Sequence, residues 1–383
     1  MTTPSSFLLC NVPYYVLSGA ARGRRASVAT EQGMSLHARC GGPMPENRPL
    51  IGIRVPPCAP VSVLAETASR AEAAGFDEVW FPDSQFIWRD VWVTMAAAAA
   101  ATSRIRLGVA VTNFETRHPS VTASAVRTLQ EMAPNRVIVG LGTGSSSLKH
   151  IGVRPTRQAR MREGFEELRA LLSGKPRDTD GEGGQLRDAI GVPPLYMAAS
   201  GPKNLEFAGG VADGVMILSG ISEDLLRTSI ERVHRGAERA GRNPADVRIN
   251  IAAFGHVTED VRRDCAIVKP LAADLVLRGA GEALADEGIA IKGRPREADP
   301  RVYPDYRHAE NWDAAAEVAG EVIDDDAAVR FAQRFCLMGD GAEIRSRIEE
   351  IAAMGVHEVY VQGVGSYSLP TDLIDGFGKE VLG

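Results

Sequence analysis

The strongest constraint on the fold is a repeated alternation of short apolar runs and helical segments that starts near Leu50. Each run ends at glycine, proline or aspartate, as buried strands of a parallel sheet do. Eight strands are predicted, at 51–55, 78–82, 105–111, 137–141, 194–199, 214–218, 247–257 and 357–361. Eight strands that alternate with helices favour a closed barrel over an open sheet. We therefore predict an α/β fold, a single (β/α)8 barrel of the TIM type.

The segments between these runs show helical spacing and helix-end signals. Asp90 is suited to begin the second helix, and Gly75 to end the first. Helices are predicted at 61–74, 90–101, 120–132, 158–172, 203–209, 225–240, 259–277 and 340–354. Ligands of such barrels bind in the loops that follow the carboxyl ends of the strands. An enzyme is therefore the leading interpretation.

The domain boundaries follow from where this alternation is absent. Residues 1–48 lack periodicity and contain Gly-Gly-Pro at 41–43, which predicts a disordered extension; a twin-arginine signal at 24–25 is the alternative, but no apolar run follows it. The barrel is predicted over 49–383. A long insertion at about 279–326, before the last helix and strand, is charged and aromatic. It is predicted either to cap the barrel mouth or to form a disordered surface loop.

Composition excludes several kinds of partner. The chain has 43 basic and 49 acidic residues, so a nucleic-acid-binding surface is not expected. Five scattered cysteines without metal-ligand spacing predict no metal site and suit a reducing cytoplasm. No uncharged apolar run approaches the roughly 18 residues that a membrane span requires. A cytoplasmic enzyme for a small molecule is expected.

Two loops have the composition of an anion-binding turn. They follow the fourth and fifth strands and bring main-chain N–H groups, hydroxyls and small residues together. Each loop alone is also compatible with an ordinary strand-to-helix turn, but together they favour a ligand. The candidate cofactor-binding residues of these loops are Gly142, Thr143, Gly144, Ser145, Ala199, Ser200 and Gly201.

Five motifs occur in order on successive predicted strands, at 83–90, 111–119, 140–144, 198–202 and 212–215. In this order they resemble the luciferase-like flavin-dependent oxidoreductases, and within them the methylenetetrahydromethanopterin reductase type, which uses the deazaflavin coenzyme F420. The resemblance implies hydride transfer between F420 and a small organic substrate, in a homodimer. An FMN-dependent monooxygenase of the same superfamily is the alternative.

The resemblance also implies a feature of the third strand. Relatives carry a non-prolyl cis peptide there that faces the cofactor ring, and the equivalent bond here joins Ala110 and Val111. Asn113 and His118 follow it, where they are placed to contact cofactor or substrate. His118 is equally suited to act as a helix cap.

The acid/base group is left open among three residues, Asp83, Glu115 and His118. Many relatives have histidine after the equivalent of Asp83, whereas this chain has Ser84. The glutamate on the first strand of the methanopterin reductases corresponds to Arg54. An arginine is suited to hold a carboxylate or phosphate; the alternative is an ion pair between Arg54 and Asp83 or another carboxylate.

The remaining candidates are expected to contact substrate. Gln85, Trp88 and Arg89 lie in the loop after the second strand, and His308 lies in the insertion. Trp88 is also a candidate for simple packing. Two further classes are alternatives: a nicotinamide enzyme, although its glycine spacing is not met at 140–144, and a binding protein without catalysis.

Overall fold

Eight parallel strands close into a barrel in the computed structural model, which describes residues 48–144, 146–176, 183–295, 299–365 and 367–383. The predicted N-terminal extension therefore lies outside the described residues, apart from Arg48. The strands of the described part are β1 (Leu50–Arg54), β2 (Glu78–Phe81), β3 (Arg106–Thr112), β4 (Val137–Leu141), β5 (Leu195–Ala199), β6 (Gly214–Ile217), β7 (Arg248–Val257), β8 (Cys336–Gly339) and β9 (Glu358–Gly363).

Helices follow the strands and cover the outside of the barrel. Those of the described part are α1 (Val61–Ala73), α2 (Val91–Ala101), α3 (Pro119–Met132), α4 (Ser146–Lys149), α5 (Gln158–Leu172), α6 (Pro202–Val211), α7 (Glu223–Arg239), α8 (Val261–Asp264), α9 (Lys269–Leu277), α10 (Gly281–Asp286), α11 (Trp312–Ala319), α12 (Asp325–Phe335), α13 (Gly341–Ala353) and α14 (Thr371–Glu380). Among these helices, none is both long enough and apolar enough to cross a membrane.

The barrel closes through strand β7. Its first half pairs with β6, where Gly214 is opposite Arg248, and its middle pairs with β9. Strand β9 in turn pairs with β1, which completes a ring of β1 to β7 and β9. The predicted eight-stranded barrel is thus confirmed. Strand β8 was not predicted; it pairs with the far end of β7, with Cys336 opposite Phe254, and lies outside the ring.

Alternate side chains of the strands fill the barrel in layers, because successive residues of a strand point to opposite faces. The layer at the strand starts is ionic and contains Glu78, Arg106, Arg248 and Glu358, all buried. Arg248 Nε donates to Glu358 Oε1 at 2.7 Å, and Arg106 lies 2.9 Å from Glu78 Oε1. This ionic layer closes the amino-terminal end of the barrel.

The next layer is aromatic and is built around the fully buried Trp80. Its ring contacts Tyr196 and Tyr360, with centroids 6.1 and 5.8 Å away. Two neighbouring strands carry glycine where they pass this ring: a Cβ on Gly108 would lie 2.1 Å from Trp80 Cε3, and one on Gly52 2.7 Å from Nε1. The ionic and aromatic layers fill the lower barrel, so open space is confined to its carboxyl end.

The segment after β7 departs most from expectation. The single helix predicted at 259–277 is divided into α8, a 3-10 turn at Cys265–Val268, and α9. Pro270 sits at the start of α9, where its missing N–H is tolerated, but it could not lie inside a continuous helix. The segment packs around a second hydrophobic cluster, which includes Leu271, Tyr306 and Phe331.

Candidate active site

A cavity of about 340 Å³ opens at the carboxyl ends of the barrel strands. Its barrel side is formed by the strand positions that follow the aromatic layer, including Ala198 and Met216. Its other side comes from the segment after β7, through Leu275, Arg307 and His308. The described part of the predicted insertion therefore supplies residues to the cavity.

Strand β3 forms an apolar wall of this cavity. The peptide bond between Ala110 and Val111 is cis, as predicted, and both residues line the cavity. Strand β4 approaches this wall closely: a Cβ on Gly142 would lie 2.5 Å from Val111 Cγ2. Only glycine permits this approach, which places the backbone after β4 directly beside the wall.

The loops after β4 and β5 form a polar end of the same cavity. Thr143, Gly144 and Ser200 all line it, so the two predicted turns meet at one space. Helix α6 begins there after Gly201, which has φ 72°, and no side chain of the described residues caps its first turn. The uncapped N–H groups of a helix start favour an anion. The arrangement can accept an anionic group beside an apolar wall.

Asp83 brings a carboxyl group to the cavity from the end of β2. Its Oδ2 accepts a hydrogen bond from Thr112 Oγ1 at 2.7 Å and lies 3.5 Å from Arg117 Nε. Burial raises the pKa of Asp83, and Thr112 and Arg117 offset only part of that rise. Asp83 is thus held in one position with an increased tendency to bind a proton. The neighbouring Ser84 also lines the cavity, and its buried Oγ has no hydrogen-bond partner among the described residues.

Arg54, the last residue of β1, enters the cavity next to Trp88. Its guanidinium carbon lies 5.3 Å from the centre of the Trp88 ring, within the range of a cation–π contact. Burial lowers the pKa of Arg54, although an arginine stays charged. Tyr360 lies in the same cavity, and burial raises its pKa to about 12, so it remains a neutral phenol.

His308 reaches the cavity from the segment after β7 and is held by Asp305. The imidazole Nδ1 lies 2.9 Å from Asp305 Oδ1, and the ring meets Trp88 edge-on with centroids 5.9 Å apart. Burial lowers the pKa of His308, and this effect outweighs the opposing influence of Asp305. A neutral imidazole that donates Nδ1–H to Asp305 has its other nitrogen available as an acceptor.

The structure brings together ten of the residues singled out from the sequence. Those that line the cavity are Arg54, Asp83, Trp88, Ala110, Val111, Gly142, Thr143, Gly144, Ser200 and His308. Arg54 does not pair with Asp83, so this alternative for Arg54 is not what the structure shows. Ser145 lies outside the described residues.

Three polar residues after β3 are placed elsewhere. Asn113 is buried, and its Oδ1 accepts hydrogen bonds from the backbone N–H groups of Glu115 and Thr116, so its side chain builds the turn. Glu115 is exposed on that turn. His118 caps helix α3: its Nδ1 accepts from Ser120 N at 3.2 Å. Neither Glu115 nor His118 is among the cavity residues.

Four other candidates support the cavity from behind or beside it. Ala199 is buried under Ser200, and Gly201 starts α6. Gln85 donates from Nε2 to the backbone oxygen of Ser147 at 2.9 Å, and Arg89 donates from Nη1 to that of Pro57 at 3.2 Å. These contacts hold the loop after β2 in place, and the structure does not put these four residues among those that line the cavity.

Sequence reasoning missed several cavity residues. Tyr360 and Gln362 could have been found from the two-residue alternation of β9, which begins with the buried Glu358. Arg278 and Arg307 could not have been found from the sequence, because their segment has no regular period. The path of this segment depends on its own hydrophobic cluster.

Comparison with known proteins agrees with this geometry. A family model described as luciferase-like monooxygenase matches residues 35–358. The 5,10-methylenetetrahydromethanopterin reductase of Methanolobus tindarius is 30% identical over 340 residues, which are 87% of this chain and 99% of that protein. The F420-dependent glucose-6-phosphate dehydrogenase of Beutenbergia cavernae is 37% identical over 215 residues, 50% of this chain and 63% of that protein.

A solved structure shares the fold. The coenzyme F420-dependent tetrahydromethanopterin reductase from Methanopyrus kandleri aligns with a TM-score of 0.68 at 24% identity, over 88% of this chain and 99% of that one. The family predicted from the five motifs is confirmed by the family model and by the Methanolobus relative. The chain is an enzyme, an oxidoreductase that belongs to the luciferase-like family.

Proposed function

We propose that this enzyme transfers a hydride between coenzyme F420 and a small organic substrate bound in the same cavity. The observation that carries the proposal is the meeting of an apolar wall, Ala110 and Val111, with a polar end, Thr143 and Ser200, in one cavity. A tricyclic ring with a phosphorylated tail needs both. The relative from Beutenbergia cavernae, whose name specifies F420, supports the choice of cofactor.

The residues present fit this group. Because Gly142 has no side chain, the backbone after β4 lies directly against Val111, so the polar loop adjoins the apolar wall as a ring with a charged tail requires. The uncapped start of α6 is suited to the phosphate of the tail. The buried hydroxyl of Ser84 lines the cavity and has no partner in the described part of the chain, so a polar ligand atom would complete its hydrogen bonding. When bound, a deazaflavin supplies a carbon that gives or accepts a hydride but does not activate oxygen.

The chain's own residues then orient the reactants and handle the proton. Asp83 contributes a carboxyl group and His308 an imidazole to the cavity, and burial shifts the pKa of both, which makes them candidates for proton exchange with substrate. Glu115 and His118 are less suited, because the structure does not place them among the cavity residues. Trp88, Leu275 and Met216 would exclude water from the reacting atoms.

Titration with F420 and, separately, with FMN tests the proposal. We expect the purified protein to bind F420, measured by the change in its absorbance and fluorescence, and to bind FMN at least tenfold more weakly. Ala198→Phe should fill the cavity and abolish F420 binding, because Ala198 lines it. Ala100→Phe is the matched control, since Ala100 is exposed on α2. Tight binding of FMN with uptake of oxygen would instead favour a monooxygenase.

We also propose that the enzyme is a homodimer, as its resemblance to the family implies. Val93 on α2 and Val121 on α3 are large apolar side chains left exposed on two neighbouring helices. Contiguous apolar surface marks an interface, so α2 and α3 are the helices that we expect at the dimer contact. Sedimentation should give about twice the mass of one 41.0 kDa chain; a monomer would contradict this.

A further inference from the structure

Arg54 is a buried charge without a counter-charge. Its residue is 7% exposed, and none of the groups that act electrostatically on its guanidinium is a carboxylate. Within the described part of the chain, no Asp or Glu lies at ion-pair distance from it; its nearest favourable contact is the face of Trp88. Buried charges in proteins are normally paired, because desolvation without a partner is costly. The guanidinium therefore has donors to offer to a ligand in the cavity.

The surroundings of Arg54 add positive charge. Arg307 and Arg278 line the same cavity, and the charge of Arg307 acts unfavourably on Arg54. Asp274 and Asp305 act favourably on Arg307 but not on Arg54. Arg278 is already paired, with its Nε 2.7 Å from Asp274 Oδ2. The one carboxylate among the lining residues, Asp83, is held by Thr112 and Arg117 instead. An anion placed beside Arg54 and Arg307 would relieve their mutual repulsion.

The order of the strands separates this positive region from the polar end of the cavity. In the ring, β1 is four strands away from β5, so Arg54 and Ser200 lie on opposite sides of the barrel mouth. The loops after β4 and β5 are the proposed site of the cofactor phosphate. The Arg54 side is consequently where the substrate, rather than the tail of the cofactor, would lie.

We propose that Arg54, together with Arg307, binds a carboxylate or phosphate group of the substrate. The substrate class is thus a small anionic molecule, such as a hydroxy acid or a phosphorylated sugar, with the group to be oxidised or reduced held away from its anionic end. A guanidinium matches the geometry of either anion through two parallel hydrogen bonds. This inference rests on the proposed function, which gives F420 as the other ligand of the cavity.

Titration with inorganic phosphate tests the anion site without knowledge of the substrate. Binding is measured by calorimetry at constant ionic strength, with chloride as the reference salt. The loss of a charge-assisted pair should weaken phosphate binding of Arg54→Met by about tenfold or more, and Arg54→Lys should recover part of the affinity. Arg227→Met is the control, because Arg227 is exposed on α7. Equal phosphate affinity of Arg54→Met and the wild type would overturn the proposal.

A second titration, with F420, distinguishes substrate from cofactor. The proposal expects Arg54→Met to bind F420 within about threefold of the wild type. A parallel loss of F420 and phosphate affinity would overturn it and assign the anion to the cofactor. If no variant binds F420 while phosphate binding still depends on Arg54, the anion site stands and the proposed function fails.

Phosphate titration of the F420-saturated wild type covers the case in which Arg54→Met does not fold, as judged by its circular dichroism. The bound cofactor then fills the loops after β4 and β5, so phosphate should still bind, on the Arg54 side of the mouth. Loss of all phosphate binding in the F420-saturated enzyme would overturn the proposal.

Discussion

His308 illustrates how a single residue is tuned by its surroundings. It is buried against Trp88 and bonded to Asp305, and burial has the larger effect on its pKa. The imidazole is therefore neutral near pH 7, because its pKa lies below the usual value of about 6.5. This state suits a group that accepts a proton in the cavity.

Replacement of Asp305 tests this balance. Asp305→Asn removes the carboxylate that favours the imidazolium, so the pKa of His308 should fall further. Nitrogen NMR of the histidine side chains across a pH series measures the pKa of His308. Asp286→Asn, at an exposed site, should leave the pKa of His308 unchanged. A rise of that pKa in Asp305→Asn would contradict the prediction, because it would show that Asp305 does not favour the imidazolium.

Single residues also show where sequence reasoning is insufficient. Asn113 and Asp83 are both polar residues at the ends of barrel strands, and the sequence does not separate their roles. The structure does: Asn113 uses its oxygen to form the turn that follows, whereas Asp83 faces the cavity. Local hydrogen bonding by Asn competes with ligand binding at such positions, and only the backbone path decides between them.

At the scale of elements, strand β3 depends on one glycine. A side chain at Gly108 would collide with Trp80, which is fully buried and has no space into which to move. We expect Gly108→Ala to lower the free energy of unfolding by about 1–3 kcal/mol through overpacking.

Denaturant unfolding followed by circular dichroism measures this effect. Gly184→Ala is the control, because no heavy atom of the described residues lies within 4 Å of its added Cβ. It should change the free energy of unfolding by no more than about 0.5 kcal/mol. If both variants unfold alike, the aromatic layer is more adaptable than its packing indicates.

Elements with a strong period were predictable, and irregular ones were not. The eight barrel strands are apolar runs with clear ends, so their order alone indicated the barrel. Strand β8 is short and follows α12 without a break, at Phe335 and Cys336, so no turn signal separates them. Only Pro270 indicated that the helix predicted at 259–277 is divided, and a proline is also compatible with a kinked helix.

At the scale of the whole molecule, the ionic layer at the base of the barrel couples stability to pH. Burial by itself raises the pKa of Glu358, but Arg248 and Arg106 outweigh it and leave that pKa below its usual value. Burial, with the nearby charge of Glu358, raises the pKa of Glu78 from 4.5 to about 8. Glu78 therefore favours the folded state most when it is protonated.

The difference between the folded and unfolded pKa of Glu78 determines how its contribution to stability changes with pH. The contribution of Glu78 is fully present below its unfolded pKa of 4.5 and is lost as the pH rises through about 8. Compared with Glu78→Gln, the wild type should lose free energy of unfolding between these pH values. Thermal melts at a series of pH values measure the difference in stability between the wild type and Glu78→Gln. Glu349→Gln, on the exposed face of α13, should show no such trend; parallel curves for Glu78→Gln and the wild type would contradict the prediction.

The second hydrophobic cluster has a consequence for how such an enzyme diversifies. Tyr306 and Ala309, which flank Arg307 and His308 in the chain, are buried in that cluster and not in the barrel interior. Substitutions in the segment after β7 can thus accumulate while the barrel strands stay constant. One barrel is in this way able to bind many different substrates, with the specificity determined mainly by the segment after β7.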